Sequence, residues 1–215
     1  MIRRKIEKAR LYCFTPDKWR GQSDIMDMVR SQIKGGADVI QLREKKMPAR
    51  EKLELARAIK KITRKYHVLF IVNDNIDIAY LSQSDGVHLG QDDIPPREAR
   101  KIMKNRIIGL STHNEDQYKK AQKEDVDYVA IGPIFPTLTK DDPDSTVGLE
   151  ELKKILKHKK KKTVAIGGID YEHISRIIPL GIDCLAVVSA IIKSGDIEET
   201  TRKFKEEINR VLEKN

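Results

Sequence analysis

Short runs of β-branched and aliphatic residues with no polar face alternate along the chain with longer stretches in which apolar residues return every three or four positions. The first pattern predicts strands buried on both faces, and the second predicts amphipathic helices that cover them. Runs of the first kind occupy 10–15, 37–43, 68–74, 86–90, 106–112, 128–134, 163–169 and 184–190. Helical spacing occupies 23–34, 48–65, 76–81, 95–103, 114–123, 149–156, 171–178 and 197–212. In the first helix the spacing is carried by Ile25, Met28, Val29 and Ile33. Ser23 and Asn114 are candidate N-caps, Gly35-Gly36 and Gly181 candidate stops, and Pro48 falls where a first turn tolerates proline.

About eight strand–helix units in succession require parallel strands joined by helical crossovers. The expected architecture is α/β: a single (β/α)8 barrel with a parallel eight-stranded sheet, forming one domain over residues 1–215. Its usual size is about 250 residues, with a lower limit near 200. A doubly wound open sheet is the other arrangement of such units, but the first strand–helix turn lacks a dinucleotide-binding glycine fingerprint.

Polar chemistry follows strand after strand. In a barrel the loops after the strands share one rim, so Gln41, Arg43, Lys45, Asn73, Asp74, Asp93, Ser111, His113, Thr137, Thr139 and Lys140 are expected around one pocket. Asp74 and Asp93 end neighbouring strands, where two carboxylates can share Mg²⁺ with phosphate oxygens. Arg43, Lys45 and Lys140 would complete a diphosphate cradle, although each taken singly is more often a surface charge. Gly167-Gly168 and Val188-Ser189, after the last two strands, suggest a second anion site; a packing glycine pair and a strand-end serine read equally well. His88, between Val87 and Leu89, reads as an interior histidine, whereas His113 reaches the rim as a candidate acid or base. There is no nucleophile elbow and no Cys/His zinc cluster.

Composition narrows the partners. With 42 Lys+Arg against 33 Asp+Glu the formal charge is +9, which suits a polyanion or small phosphorylated substrates; an aromatic content of 5% weakens a base-stacking role. The run from Lys157 to Lys162 reads as a solvated surface turn. Cys13 and Cys184 lie in apolar strands without metal or redox spacing and read as buried free thiols. Neither a signal-peptide segment nor a membrane span is evident, so a cytoplasmic protein is expected.

Taken in order and spacing, several motifs resemble thiamine phosphate synthase. They are Gln41-Leu42-Arg43-Glu44-Lys45, Asn73-Asp74, Gly86-Val87-His88-Leu89-Gly90-Gln91-Asp92-Asp93, Gly109-Leu110-Ser111-Thr112-His113, Gly132-Pro133-Ile134-Phe135-Pro136-Thr137-Leu138-Thr139-Lys140 and Val164-Ala165-Ile166-Gly167-Gly168-Ile169. The resemblance runs from about residue 10 onward and implies a Mg²⁺-dependent transferase. This joins 4-amino-2-methyl-5-(diphosphooxymethyl)pyrimidine to a carboxylated thiazole phosphate and releases diphosphate and CO2. By that resemblance Gln41, Leu42, Arg43, Glu44, Lys45, Asn73, Ser111 and Lys140 bind the pyrimidine diphosphate. Thr137, Leu138, Thr139, Gly168, Val188 and Ser189 bind the thiazole phosphate, and Asp74 and Asp93 hold Mg²⁺. Ser111, Lys140 and Arg43 are implied as the catalytic groups. Two departures stand out: Asn75, where the family often has Arg, and the Pro16-Asp17-Lys18-Trp19 loop.

Two other readings compete. A thiazole tautomerase on the same barrel would rely on a histidine near His113 and would have no use for the diphosphate residues. A polyanion-binding protein would use the lysine run and leave the polar rim unexplained. The implied partners are the small-molecule substrates, without nucleic acid or membrane, and a homodimer stays open.

Overall fold

The computed structural model describes residues 2–16, 22–137 and 145–214, the side chains of residues 22 and 23 excepted. Eight strands form a closed barrel in sequence order: β1 (Leu11–Phe14), β2 (Val39–Leu42), β3 (Leu69–Asn73), β4 (Gly86–Leu89), β5 (Ile107–Thr112), β6 (Tyr128–Ile131), β7 (Lys162–Ile166) and β8 (Cys184–Ala186). All neighbouring pairs are parallel, including β1 with β8. The helices are α1 (Arg3–Ile6), α2 (Gln22–Lys34), α3 (Ala49–Lys65), α4 (Ile76–Leu81), α5 (Pro96–Met103), α6 (Glu115–Ala121), α7 (Gly148–Leu156), α8 (Ile174–Ile177), α9 (Ser189–Ile192) and α10 (Ile197–Glu213).

Each strand buries both faces, and the pleat separates them. Tyr12, Phe14, Val39, Ile71, Ile107, Tyr128, Ala130, Val164, Cys184 and Ala186 point inward and fill the barrel. Leu11, Ile40, Val72, Val87, Ile108, Val129, Ala165 and Leu185 point outward into the layer shared with the helices. Asn114 caps α6 by accepting a hydrogen bond from Gln117 N, and Gly181, at φ 102°, ends the segment that includes α8. That segment is an α-turn flanked by two 3₁₀ turns, where spacing alone predicts one helix.

Strand eight is shorter than the apolar run suggests, since α9 begins at Ser189. The lysine run also differs from a solvated turn. Lys162 opens β7, is 5% exposed and donates to Glu7 O and Ala9 O at 3.0 and 2.8 Å. These bonds hold the segment after α1 beneath the barrel, where Ile6 and Ala9 join the interior cluster. Lys159 is also pinned, to Asp183 at 2.7 Å.

At that lower end one device recurs on every second strand. Asp38, Asp85, Asp127 and Asp183 each immediately precede an even-numbered strand. Their carboxylates accept from the backbone N–H of Leu11, Phe70, Ile108 and Thr163, all on the preceding strand, at 2.8–2.9 Å. Each also meets a cation from the helical connection that follows the previous even strand. The four cations are Lys205 on α10, Lys60 on α3, Arg100 on α5 and Lys159 after α7. Charge-assisted bonds of this kind fix strand register at the N-terminal end of the strands. Among the described residues no helix is long and apolar enough to cross a membrane.

Candidate active site

The opposite, C-terminal end of the strands carries the polar residues. Asp74 follows β3 in the left-handed region at φ 60°, its N–H held by His88 O at 2.8 Å, so the turn delivers its carboxyl beside β4. Asp93 lies in the loop after β4, where its Oδ2 accepts from Gly90 N at 2.6 Å. The two carboxyl groups come within hydrogen-bonding reach of each other. Burial, then the charge and hydrogen bond of Asp93, push the Asp74 carboxyl up to about 6, while Lys45 and Arg43 pull it the other way. Two acids and two cations predicted at separate strand ends therefore share one field.

Other site candidates are held by specific bonds. Arg43 N donates to Thr15 Oγ1 at 3.0 Å, and Glu44 Oε1 accepts from Lys46 N. Leu42 is buried in the strand–helix layer, so only its main chain is available to a ligand. Asn73 ends β3 above the inward Ile71. Ser111 Oγ lies 2.8 Å from His88 Nε2, which makes His88 a bonded interior group as its apolar flanks suggest. His113 Nδ1 lies 2.6 Å from Gly132 O, so the imidazole is tied to the start of the next loop. Lys52 Nζ reaches Asn75 Oδ1 at 2.9 Å and brings a neighbouring cation to that position.

The glycine pair after β7 takes positive φ, 98° at Gly167 and 64° at Gly168. A Cβ on Gly168 would lie 2.6 Å from Pro136 O and 2.7 Å from Phe135 Cβ. The space beside it is thus filled by the loop that leads to Thr137, a close approach of two backbones that glycine permits. Val188 packs against the interior cluster, and Ser189 opens α9. Leu138, Thr139 and Lys140, and Asp17 to Trp19 of the first loop, lie outside the described residues.

Sequence reasoning passed over Tyr12 and Tyr128, which meet inside the barrel with their hydroxyls 3.0 Å apart. It also passed over Gln91, whose Nε2 reaches Ser111 O at 2.5 Å. Period-two counting along β1 and β6 puts each tyrosine on one face of its strand, but both faces are buried and the count does not tell which one points inward.

A family model described as thiamine monophosphate synthase matches residues 11–191, almost the whole barrel. The chain belongs to that family. It is 41% identical over 195 residues to the thiamine-phosphate synthase of Dictyoglomus turgidum, covering 90% of this chain and 87% of that one. With the thiamine-phosphate synthase of Pelotomaculum thermopropionicum it shares 42% over 216 residues, covering 98% and 99%. Among solved structures, thiamine phosphate pyrophosphorylase from Pyrococcus furiosus superposes with a TM-score of 0.87 at 34% identity, covering 96% of this chain and 98% of that one. Membership in the thiamine monophosphate synthase family agrees with the barrel and with the motif resemblance.

Among the described residues no group of three or more His, Cys, Asp or Glu side chains is placed to hold a metal. Asp74 and Asp93 form a pair of interacting carboxyl groups at the mouth. The pair suits a hard cation that takes one or two protein carboxylates and completes its shell with water and substrate phosphate.

Proposed function

We propose that this chain is a thiamine-phosphate synthase acting on the pyrimidine diphosphate and the carboxylated thiazole phosphate. The observation that carries this reading is the Asp74–Asp93 pair in the field of Arg43 and Lys45 at the barrel mouth. Two carboxylates in contact repel unless a proton or a cation lies between them, and the flanking basic groups suit a polyanion bridged to that cation.

In this reading Asp74 and Asp93 hold Mg²⁺, which when bound supplies charge neutralisation at the diphosphate. Arg43, Lys45 and Lys140 bind the diphosphate oxygens and stabilise the charge that develops as the methylene C–O bond breaks and its electron pair leaves with diphosphate. Thr137, Leu138, Thr139, Gly168, Val188 and Ser189 hold the thiazole phosphate with its ring nitrogen facing that methylene carbon. The nitrogen lone pair forms the new C–N bond; the thiazole carboxylate then departs as CO2, and the ring carbon keeps the C–C electron pair and takes up a proton from solvent. Alignment and electrostatics perform the reaction without a covalent enzyme intermediate.

The test is turnover of both precursors by the purified protein with Mg²⁺. Thiamine phosphate should form, stop on addition of EDTA and resume with excess Mg²⁺; formation that persists in EDTA sinks the metal assignment. Arg43→Ala should lower kcat/KM for the pyrimidine diphosphate about tenfold to a hundredfold, the worth of one charge-assisted phosphate contact.

A further inference from the structure

A continuous hydrogen-bonded chain crosses the barrel beneath the mouth. Gln41 Nε2 donates to Tyr12 Oη at 2.8 Å, and Tyr12 Oη lies 3.0 Å from Tyr128 Oη. Tyr128 Oη lies 2.9 Å from His88 Nδ1, and His88 Nε2 lies 2.8 Å from Ser111 Oγ. Gln41, Tyr12, Tyr128 and His88 are each 8% exposed or less. Burial pushes both phenol pKa values up, so each hydroxyl keeps its proton.

Donor counting gives the chain a direction. The Gln41 amide nitrogen can only donate, so it occupies a lone pair of Tyr12, whose single O–H then serves Tyr128. The Tyr128 O–H serves His88 Nδ1. His88 is therefore the Nε2–H tautomer and donates to Ser111 Oγ. One donor is left over, the Ser111 hydroxyl proton, on the member of the chain that is partly exposed at the mouth. At the other end the Gln41 carbonyl oxygen is turned away from Tyr12 as an acceptor.

The space for this arrangement is made by Gly109 on β5. A Cβ there would lie 2.1 Å from Tyr128 Cζ and 2.4 Å from its hydroxyl oxygen. The His88 and Tyr128 rings stack at 5.5 Å with 20° between planes.

We propose that Tyr12, Tyr128 and His88 are positioning residues that lock Ser111 as a hydrogen-bond donor toward an anionic oxygen of the substrate and Gln41 as an acceptor. The identity of that oxygen as part of a diphosphate rests on the function proposed above; the polarity of the chain does not.

The experiment reads the His88 tautomer by imidazole ¹⁵N NMR on ligand-free protein, with the resonance assigned by its loss in His88→Gln. Wild type should show Nε2–H. Gln41→Glu, whose carboxylate can only accept, should reverse the chain and place a proton on Nδ1, three hydrogen bonds away. Tyr128→Phe should abolish the tautomer bias and lower kcat/KM for the pyrimidine diphosphate about tenfold, as expected for one hydrogen bond, with the thiazole phosphate KM unchanged. Tyr12→Phe and Gly109→Ala should act in the same sense and stand in if Tyr128→Phe does not fold. A merely structural role would shift the melting temperature and leave the tautomer alone. Nδ1–H in wild type, or a tautomer indifferent to both Gln41→Glu and Tyr128→Phe, overturns the proposal. The expected tautomers in a protein without synthase turnover uphold the relay and overturn the function; turnover with the wrong tautomers does the reverse.

Discussion

Asp74 combines a left-handed backbone with a half-buried carboxyl pushed up to about 6 by burial and by Asp93. Asparagine tolerates that backbone region well, so Asp74→Asn removes the charge without disturbing the turn. The folded pKa lies above the unfolded value of 3.8, so this group's stabilising contribution is complete below about pH 4 and is lost as pH rises through about 6. In EDTA the wild-type melting temperature should therefore fall over that window more than that of Asp74→Asn, and at neutral pH the variant should melt higher. The same variant should lose about a hundredfold in turnover and need more Mg²⁺. A variant that melts lower at neutral pH while keeping turnover would refute both halves. The cysteines behave differently: burial pushes the Cys184 thiol up to about 12 and raises Cys13 as well, so thiol reagents should label both only after unfolding.

Among elements, the loop after β6 and the glycines after β7 act as one piece. Alanine at position 168 would strain a positive φ and strike Phe135 and Pro136, so Gly168→Ala should raise KM for both substrates together. An effect confined to the thiazole phosphate would mean that Gly168 serves that substrate alone and that the loop does not move with it. The carboxylate clamps below give a graded series. Asp127 is 5% exposed and its replacement by Ala should cost about 3 kcal/mol or more, whereas Asp183, at 28%, should cost about 1 kcal/mol in denaturant melts. Most strands and long helices were legible in the sequence because period and length agree. The four-residue α1 was not, since a single basic turn has no apolar period of its own, and Val188-Ser189 looked like strand because α9 continues the same aliphatic run. At the site, charges at strand ends were legible one by one. The Tyr12–Tyr128 contact was not, because strands buried on both faces hide which face is the interior.

At the scale of the molecule the two ends of the barrel differ: the proposed recognition at the mouth, register and basic surface below. Replacing Lys157, Lys160 and Lys161 with serine should weaken heparin retention and leave kcat unchanged; Lys159 and Lys162 are spared because they hold Asp183 and the segment after α1. A loss of turnover in that variant would tie the lower face to catalysis. The aspartate clamps have a further consequence. In each, the amide bond lies within one pair of strands and the cation arrives from the preceding pair, with Lys205 on α10 closing the ring onto Asp38. To this ring the gap between α10 and α1 is one junction among the quarters, equivalent to the others. The protein is in that sense modular, and its order of synthesis is separable from its architecture. A circular permutant with its ends linked and reopened after α5 keeps every stitch, and should fold to the same barrel and turn over both precursors.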